Sequence, residues 1–212
     1  MKLQVAIDRV SLEEAVNLSK RLDGQVDLIE MGTSLVKDYG IEGIKQIRNA
    51  LSESDLLIDL KTIDEGAYEF KQGFTFGGDV LTVMGASSIE TIRACYKVSR
   101  EYQKTMMIDL LEVNEEKIKE LEEFEEAVFC LHHSIDKVND WHVLETISTF
   151  QKSFPKLKRL AIAGGIDLTQ AKELNQQGLI EIIVVGSHIT KSKNVVEEAS
   201  KFMEELKNER SN

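Results

Sequence analysis

Short runs of Val, Ile and Leu alternate along the chain with longer stretches whose apolar residues recur every three or four positions, and the cycle repeats eight times. The strand candidates begin at Leu3, Val26, Asp55, Asp79, Thr105, Glu126, Leu157 and Glu181. Their nearly continuous apolar character fits parallel strands covered on both faces. Helical patterns lie between them, as at Ser11 to Leu22, Ser88 to Tyr102 and Asn194 to Leu206. Ser11 with Glu14, and Ser87 with Glu90, have the spacing of capping boxes. Strand–helix units about 20–30 residues apart require right-handed crossovers, which leaves a closed barrel or a doubly wound sheet. The first turn, Ile7-Asp8-Arg9-Val10-Ser11, lacks the Gly-x-Gly-x-x-Gly expected of a dinucleotide-binding sheet. The expected fold is therefore α/β, a single (β/α)8 TIM barrel filling residues 1–212 as one domain, with 207–212 as a fraying tail.

A barrel places its chemistry at the C-terminal ends of its strands, and those ends are polar here. The first strand ends at Asp8, the second at Glu30, the third at Asp59 and Lys61, the fifth at Asp109 and the sixth at His132 and His133. Each acid alone also reads as a helix cap or a rim residue. Four at the same end of different strands form a self-repelling, oxygen-rich cluster that calls for a cation, and oxygen donors with room for waters suit Mg2+, or Mn2+, better than zinc. Regular alternation puts Asp59 and Lys61 on the same side of the third strand, so an acid and an ammonium address one substrate together. Asp64 has the position of a cap on the third helix. His132 is a candidate general acid or base, and His133 faces the other way. Gly164 and Gly165 after the seventh strand, with Gly186 and Ser187 after the eighth, suit a phosphate cradle. Acids at the opposite ends of the strands, Asp27, Asp55, Asp79 and Glu181, face solvent and receive no chemical role.

Composition narrows the partners. Charged residues make up 30% of the chain, the formal charge is −11, and no basic stripe is present, which excludes nucleic acid as a partner. No segment reaches membrane-spanning length. Cys95 falls in a helical pattern and Cys130 in a strand pattern, with no neighbouring Cys at metal-ligand spacing, so both read as reduced core thiols of a cytoplasmic protein.

A family resemblance rests on Leu3 to Asp8, Glu30-Met31-Gly32-Thr33, the Asp59-x-Lys61-x-x-Asp64-x-Gly66 motif, Thr82 to Ala86, His132, Ala161 to Ile166 and Val185-Gly186. Across almost its whole length the chain resembles the orotidine-phosphate-decarboxylase-like barrels, in particular 3-hexulose-6-phosphate synthase and 3-keto-L-gulonate-6-phosphate decarboxylase. The resemblance implies Mg2+ on Glu30 and Asp59, Asp8 beside metal and substrate, Lys61 on an enediolate, His132 as the proton carrier and Asp109 as the acid of the fifth strand. It also implies phosphate on Gly164, Gly165, Gly186 and Ser187, and a homodimer in which Asp64 reaches the partner's site. Asp59-Leu60-Lys61-Thr62-Ile63-Asp64, Ile108-Asp109-Leu110 and Gly186-Ser187-His188-Ile189-Thr190 are similar to the synthase, whereas Ser134 is more similar to the decarboxylase. The segment Lys137 to Trp141 is shorter than in either. The function implied is aldol condensation of formaldehyde with D-ribulose 5-phosphate through a Mg2+-stabilised enediolate. The alternatives are decarboxylation of 3-keto-L-gulonate 6-phosphate and, in another class, a sugar-phosphate-binding barrel without turnover.

Overall fold

The computed structural model describes residues 1–133 and 142–207. Strands β1 (Lys2–Ile7), β2 (Leu28–Met31), β3 (Asp55–Thr62), β4 (Val80–Met84), β5 (Thr105–Asp109), β6 (Val128–His132), β7 (Leu160–Ala163) and β8 (Ile182–Val185) close in sequential order into a parallel barrel. The helices are α1 (Leu12–Leu22), α2 (Thr33–Arg48), α3 (Gly66–Thr75), α4 (Ile89–Tyr102), α5 (Glu115–Leu121), α6 (Val143–Ser153), α7 (Leu168–Gln177), α8 (Ser187–Thr190) and α9 (Val195–Lys207). The molecule is a single (β/α)8 barrel, and β8 pairing with β1 excludes the open sheet.

Alternation along each strand divides the core in two. Leu28, Leu57, Val80, Met107, Val128, Cys130, Ala161 and Ile182 plug the barrel interior. Residues of opposite parity, among them Leu3, Val5, Ile29, Leu56, Ile58, Ile108 and Ile183, pack outward with the helices. Full burial of one such aliphatic side chain contributes about 1.5–3 kcal/mol, so these two layers dominate the stability of the fold. Cys95 and Cys130 are buried thiols, and burial pushes Cys95 up to about 12.

Several strands begin later than the apolar pattern suggests. Val26, Ala127 and Leu157 are buried, yet they precede the ladders of β2, β6 and β7. They close the floor of the core from loops, which a hydrophobicity pattern cannot distinguish from strand. Asp55 is exposed as expected, but the other three acids at this end are structural rather than merely solvated. Asp27 accepts the Leu3 amide at 2.9 Å, Asp79 accepts the Leu56 amide and pairs with Arg48 and Lys104, and Glu181 takes a two-pronged bond from Arg159.

Ser11 caps α1 as its spacing predicts, accepting the Glu14 amide at 3.2 Å. The cap of α4 is Ser88 and not Ser87. Ser88 accepts the Thr91 amide, while buried Ser87 donates to the Thr62 carbonyl at 3.1 Å and ties the β4–α4 turn to the end of β3. Ser134, the segment Lys137 to Trp141 and the tail beyond Lys207 lie outside the described residues.

Candidate active site

The mouth of the barrel is assembled from side chains one step beyond the apolar plug. On β1, Gln4 turns inward and donates Nε2 to Glu30 Oε2 of β2 at 2.6 Å, with both residues buried. The amide oxygen of Gln4, Oε1, is buried and has no hydrogen-bond partner among the described residues. Burial, followed by the nearby charge of Asp59, pushes the Glu30 carboxyl up to about 8. A cation here would reverse that shift, because it favours the ionised form of both acids.

Asp59 on β3 is held from both sides. Thr33, the first residue of α2, donates to Oδ2 at 2.5 Å, and Thr82 of β4 donates to Oδ1 at 2.7 Å. Lys61 Nζ approaches Oδ2 at 3.1 Å. Lys61 reaches this place by a route that regular alternation does not describe. The β3–β4 register jumps from Ile58↔Leu81 to Thr62↔Val83, so β3 carries two extra residues in a bulge, and Lys61 has a left-handed φ of 47°. Its Nζ then spans to Asp109 Oδ2 on β5 at 2.7 Å, and the same oxygen meets His132 Nδ1 of β6 at 2.8 Å. The other Asp109 oxygen accepts the Leu111 amide.

Asp59, Lys61, Asp109 and His132 thus form one continuous chain of charge-assisted contacts across β3, β5 and β6. Burial disfavours the Asp109 carboxylate, but the His132 hydrogen bond and the Lys61 charge outweigh it and bring the group down to about 2. Burial likewise opposes the Lys61 charge, and Asp59 and Asp109 outweigh it, raising the ammonium above its ordinary range. An ionised Asp109 places the imidazole proton on Nδ1 and leaves Nε2 as the acceptor.

The four acids do not form the one cluster expected from strand order. Asp109 faces Lys61 and His132, while Asp8, just beyond β1, accepts the Ser34 amide at 3.2 Å and the Ser34 hydroxyl at 2.7 Å. A Cβ on Gly32 would lie 2.2 Å from the Asp8 carboxyl, so this approach requires glycine. Among the described residues, no three His, Cys, Asp or Glu side chains stand together in a way that could hold a metal ion. Glu30 and Asp59 remain as an adjacent, oxygen-only pair. That set fits Mg2+, which takes one or two carboxylates and fills its other positions with water and substrate oxygens.

Asp64 is exposed and does not cap α3, contrary to the capping reading. The cap position is Glu65, with φ 53° and no side-chain cap bond, because the left-handed turn carries the chain past Asp64 before the helix starts. Thr62 instead tethers the first turn of α3 by donating to Glu69 at 2.6 Å. Asp64 is flanked by apolar groups left in solvent, Ile63 at 57% and Tyr68 at 62% exposure.

Gly164 (φ 120°) and Gly165 (φ 69°) follow β7 in conformations that side chains resist, and a Cβ on Gly165 would meet nothing. Gly186 and Ser187 follow the neighbouring β8. Gly164 comes directly after Ala163, the register partner of His132, so these loops adjoin the His132 end of the chain and lie farther from Asp59 and Lys61 on β3. Gln4, Thr33 and Thr82 are the site residues that charge and spacing miss. Their signal was a polar residue at an inward position of an apolar run, or at a helix start.

Comparison with known proteins places the fold in a family. The model of the orotidine 5'-phosphate decarboxylase / HUMPS family matches residues 1–202. The 3-hexulose-6-phosphate synthase of Bacillus subtilis (strain 168) is 32% identical over 205 residues, spanning 95% of this chain and 97% of that one. Among solved structures, a 3-hexulose-6-phosphate synthase from Salmonella typhimurium superposes with a TM-score of 0.89 at 30% identity, covering 97% of this chain and 98% of that one. A 3-keto-L-gulonate-6-phosphate decarboxylase from Vibrio cholerae shares the fold, with a TM-score of 0.85 at 24% identity over 97% and 96% of the two chains. The chain belongs to the orotidine 5'-phosphate decarboxylase / HUMPS family.

Proposed function

We propose that this protein is a metal-dependent carbon–carbon lyase of the 3-hexulose-6-phosphate synthase type, condensing formaldehyde with D-ribulose 5-phosphate in a reversible aldol reaction. The observation that carries the reading is the Asp59–Lys61–Asp109–His132 chain, which puts a proton acceptor and a fixed positive charge at one mouth. His132 Nε2 takes a proton from C1 of the sugar phosphate, whose electron pair moves to form the enediolate. C1 then attacks the formaldehyde carbon, and the proton returns to the former aldehyde oxygen as a hydroxyl. Asp109 holds the ring in the tautomer this requires and stabilises the imidazolium. Lys61 has three N–H donors and spends two on Asp59 and Asp109, leaving one for the developing enediolate oxygen. Glu30 and Asp59 would hold Mg2+, or Mn2+, with Asp8 beside it, and the cation supplies positive charge that acidifies the carbon next to the carbonyl. Gly164, Gly165, Gly186 and Ser187 grip the phosphate at the far end.

Two assays test the assignment. Purified protein with Mg2+ should consume D-ribulose 5-phosphate only when formaldehyde is present, with slow or no release of carbon dioxide from 3-keto-L-gulonate 6-phosphate. The opposite preference would move the assignment to the decarboxylase, which passes through the same enediolate. Turnover of neither compound would favour a binding barrel. Chelation should abolish turnover and Mg2+ should restore it, and full activity in metal-stripped protein with excess chelator would refute the Glu30–Asp59 metal site.

The exposed Ile63–Asp64–Tyr68 corner supports a two-fold homodimer in which Asp64 completes the partner's site. Lys61→Ala and Asp64→Ala proteins should each be nearly inactive, and subunit exchange between them should restore about a quarter of wild-type sites, since each heterodimer holds one intact site of two. Heterodimers without recovered activity would place Asp64 in its own chain's site or in none.

A further inference from the structure

Thr82 is the residue on β4 that faces the bulge, since its neighbours Leu81 and Val83 pair with Ile58 and Thr62 on either side of it. It is buried, and it turns inward two residues beyond the plug residue Val80. A bulge leaves backbone groups without ladder partners, and a buried N–H left unpaired costs about 1–3 kcal/mol. The Lys61 N–H is one such group, and it donates to Thr82 Oγ1 at 2.9 Å. A hydroxyl has one hydrogen, and that hydrogen goes to Asp59 Oδ1 at 2.7 Å.

We infer that the Thr82 hydroxyl is a positioning residue for the proposed reaction, clamping the Lys61 backbone in its left-handed bend and the Asp59 carboxylate in one orientation. One oxygen atom sets the distance between the ammonium and the acid. Without it the bulge can relax toward regular strand, which carries Lys61 Nζ away from Asp109, and Asp59 loses one of its two hydroxyl donors. The Thr82 hydroxyl bonds Lys61 and Asp59, and β4 lies across the closed barrel from β8, so its removal acts on the chemistry and not on the grip at the far end.

The inference rests on the proposed activity for its kinetic consequence, but not for its structural one, and the experiment separates the two. Thr82→Val preserves shape and removes the hydroxyl, whereas Thr82→Ser keeps the hydroxyl and removes the methyl. Support for a metal-site or reacting group by a second residue is worth about 10- to 100-fold, so Thr82→Val should lower kcat and the Mn2+ affinity of the stripped protein, read by electron paramagnetic resonance, by that order. KM for D-ribulose 5-phosphate should move little, and Thr82→Ser should recover both quantities to within about threefold of wild type. Wild-type kcat and Mn2+ affinity in a folded Thr82→Val protein would overturn the inference, as would a Thr82→Ser protein as impaired as Thr82→Val. Amide hydrogen exchange in the unsubstituted protein needs neither turnover nor a folded variant. Lys61 N–H should exchange far more slowly than the exposed Asp64 N–H, and equal rates would also overturn the clamp.

Discussion

Replacing His132 with alanine is expected to lower kcat about 100- to 10,000-fold, the range spanned by general acid–base groups. KM for D-ribulose 5-phosphate should change little, because the proposed grip on the phosphate comes from the glycine loops and not from the imidazole. His132→Ala also leaves Asp109 with Lys61 as its remaining side-chain partner, and that ion pair at 2.7 Å keeps the carboxylate ionised. The substituted protein should therefore fold normally. His133 lies beyond β6, and its amide bonds the Ala163 carbonyl across the barrel wall. His133→Ala should retain most of the activity. A harmless His132→Ala beside a damaging His133→Ala would remove the proton carrier from the proposed chemistry.

Lys61→Ala is expected to cost about 100- to 1,000-fold in kcat, as removal of a charge-stabilising donor does elsewhere. It also strips a cation from between two buried acids. Asp109 owes part of its low value near 2 to the Lys61 charge, so in the alanine variant the group should titrate higher. With the usual burial penalty no longer opposed by Lys61, acid should inactivate Lys61→Ala at a higher pH than wild type. Lys61→Arg should not rescue either effect, because a planar fork on a longer stem cannot occupy the bend between Asp59 and Asp109. A Lys61→Arg protein at wild-type kcat would show that charge alone, and not the bulge geometry, is what the reaction needs.

Much of this site is legible in the amino-acid order because strand ends are conspicuous. Glu30, Asp59, Asp109 and His132 each terminate an apolar run, and parallel strands of a closed barrel bring such ends to one face. What pairs with what is not legible there. Strand order suggests four acids around one cation, whereas Asp109 is bound to Lys61 and His132 and Asp8 to Ser34. The bulge that turns Lys61 inward leaves no trace in Asp59-Leu60-Lys61, which contains none of the Gly or Asn residues that normally announce a left-handed bend. Asp64 fits a helix cap by spacing, and only the left-handed Glu65 after it shows that the helix starts without it. Gln4, Thr33 and Thr82 carry no charge, and their importance comes from the buried atoms they satisfy.

The central claim is that this mouth forms an enediolate from a sugar phosphate by removing the C1 proton. That step can be watched alone, with formaldehyde withheld, by proton magnetic resonance of D-ribulose 5-phosphate in deuterium oxide with Mg2+. The wild-type protein should exchange a C1 proton for deuterium, and the signal should decay far more slowly with His132→Ala. A C1 signal that stays unchanged with the wild-type protein at high concentration would contradict the proposed chemistry.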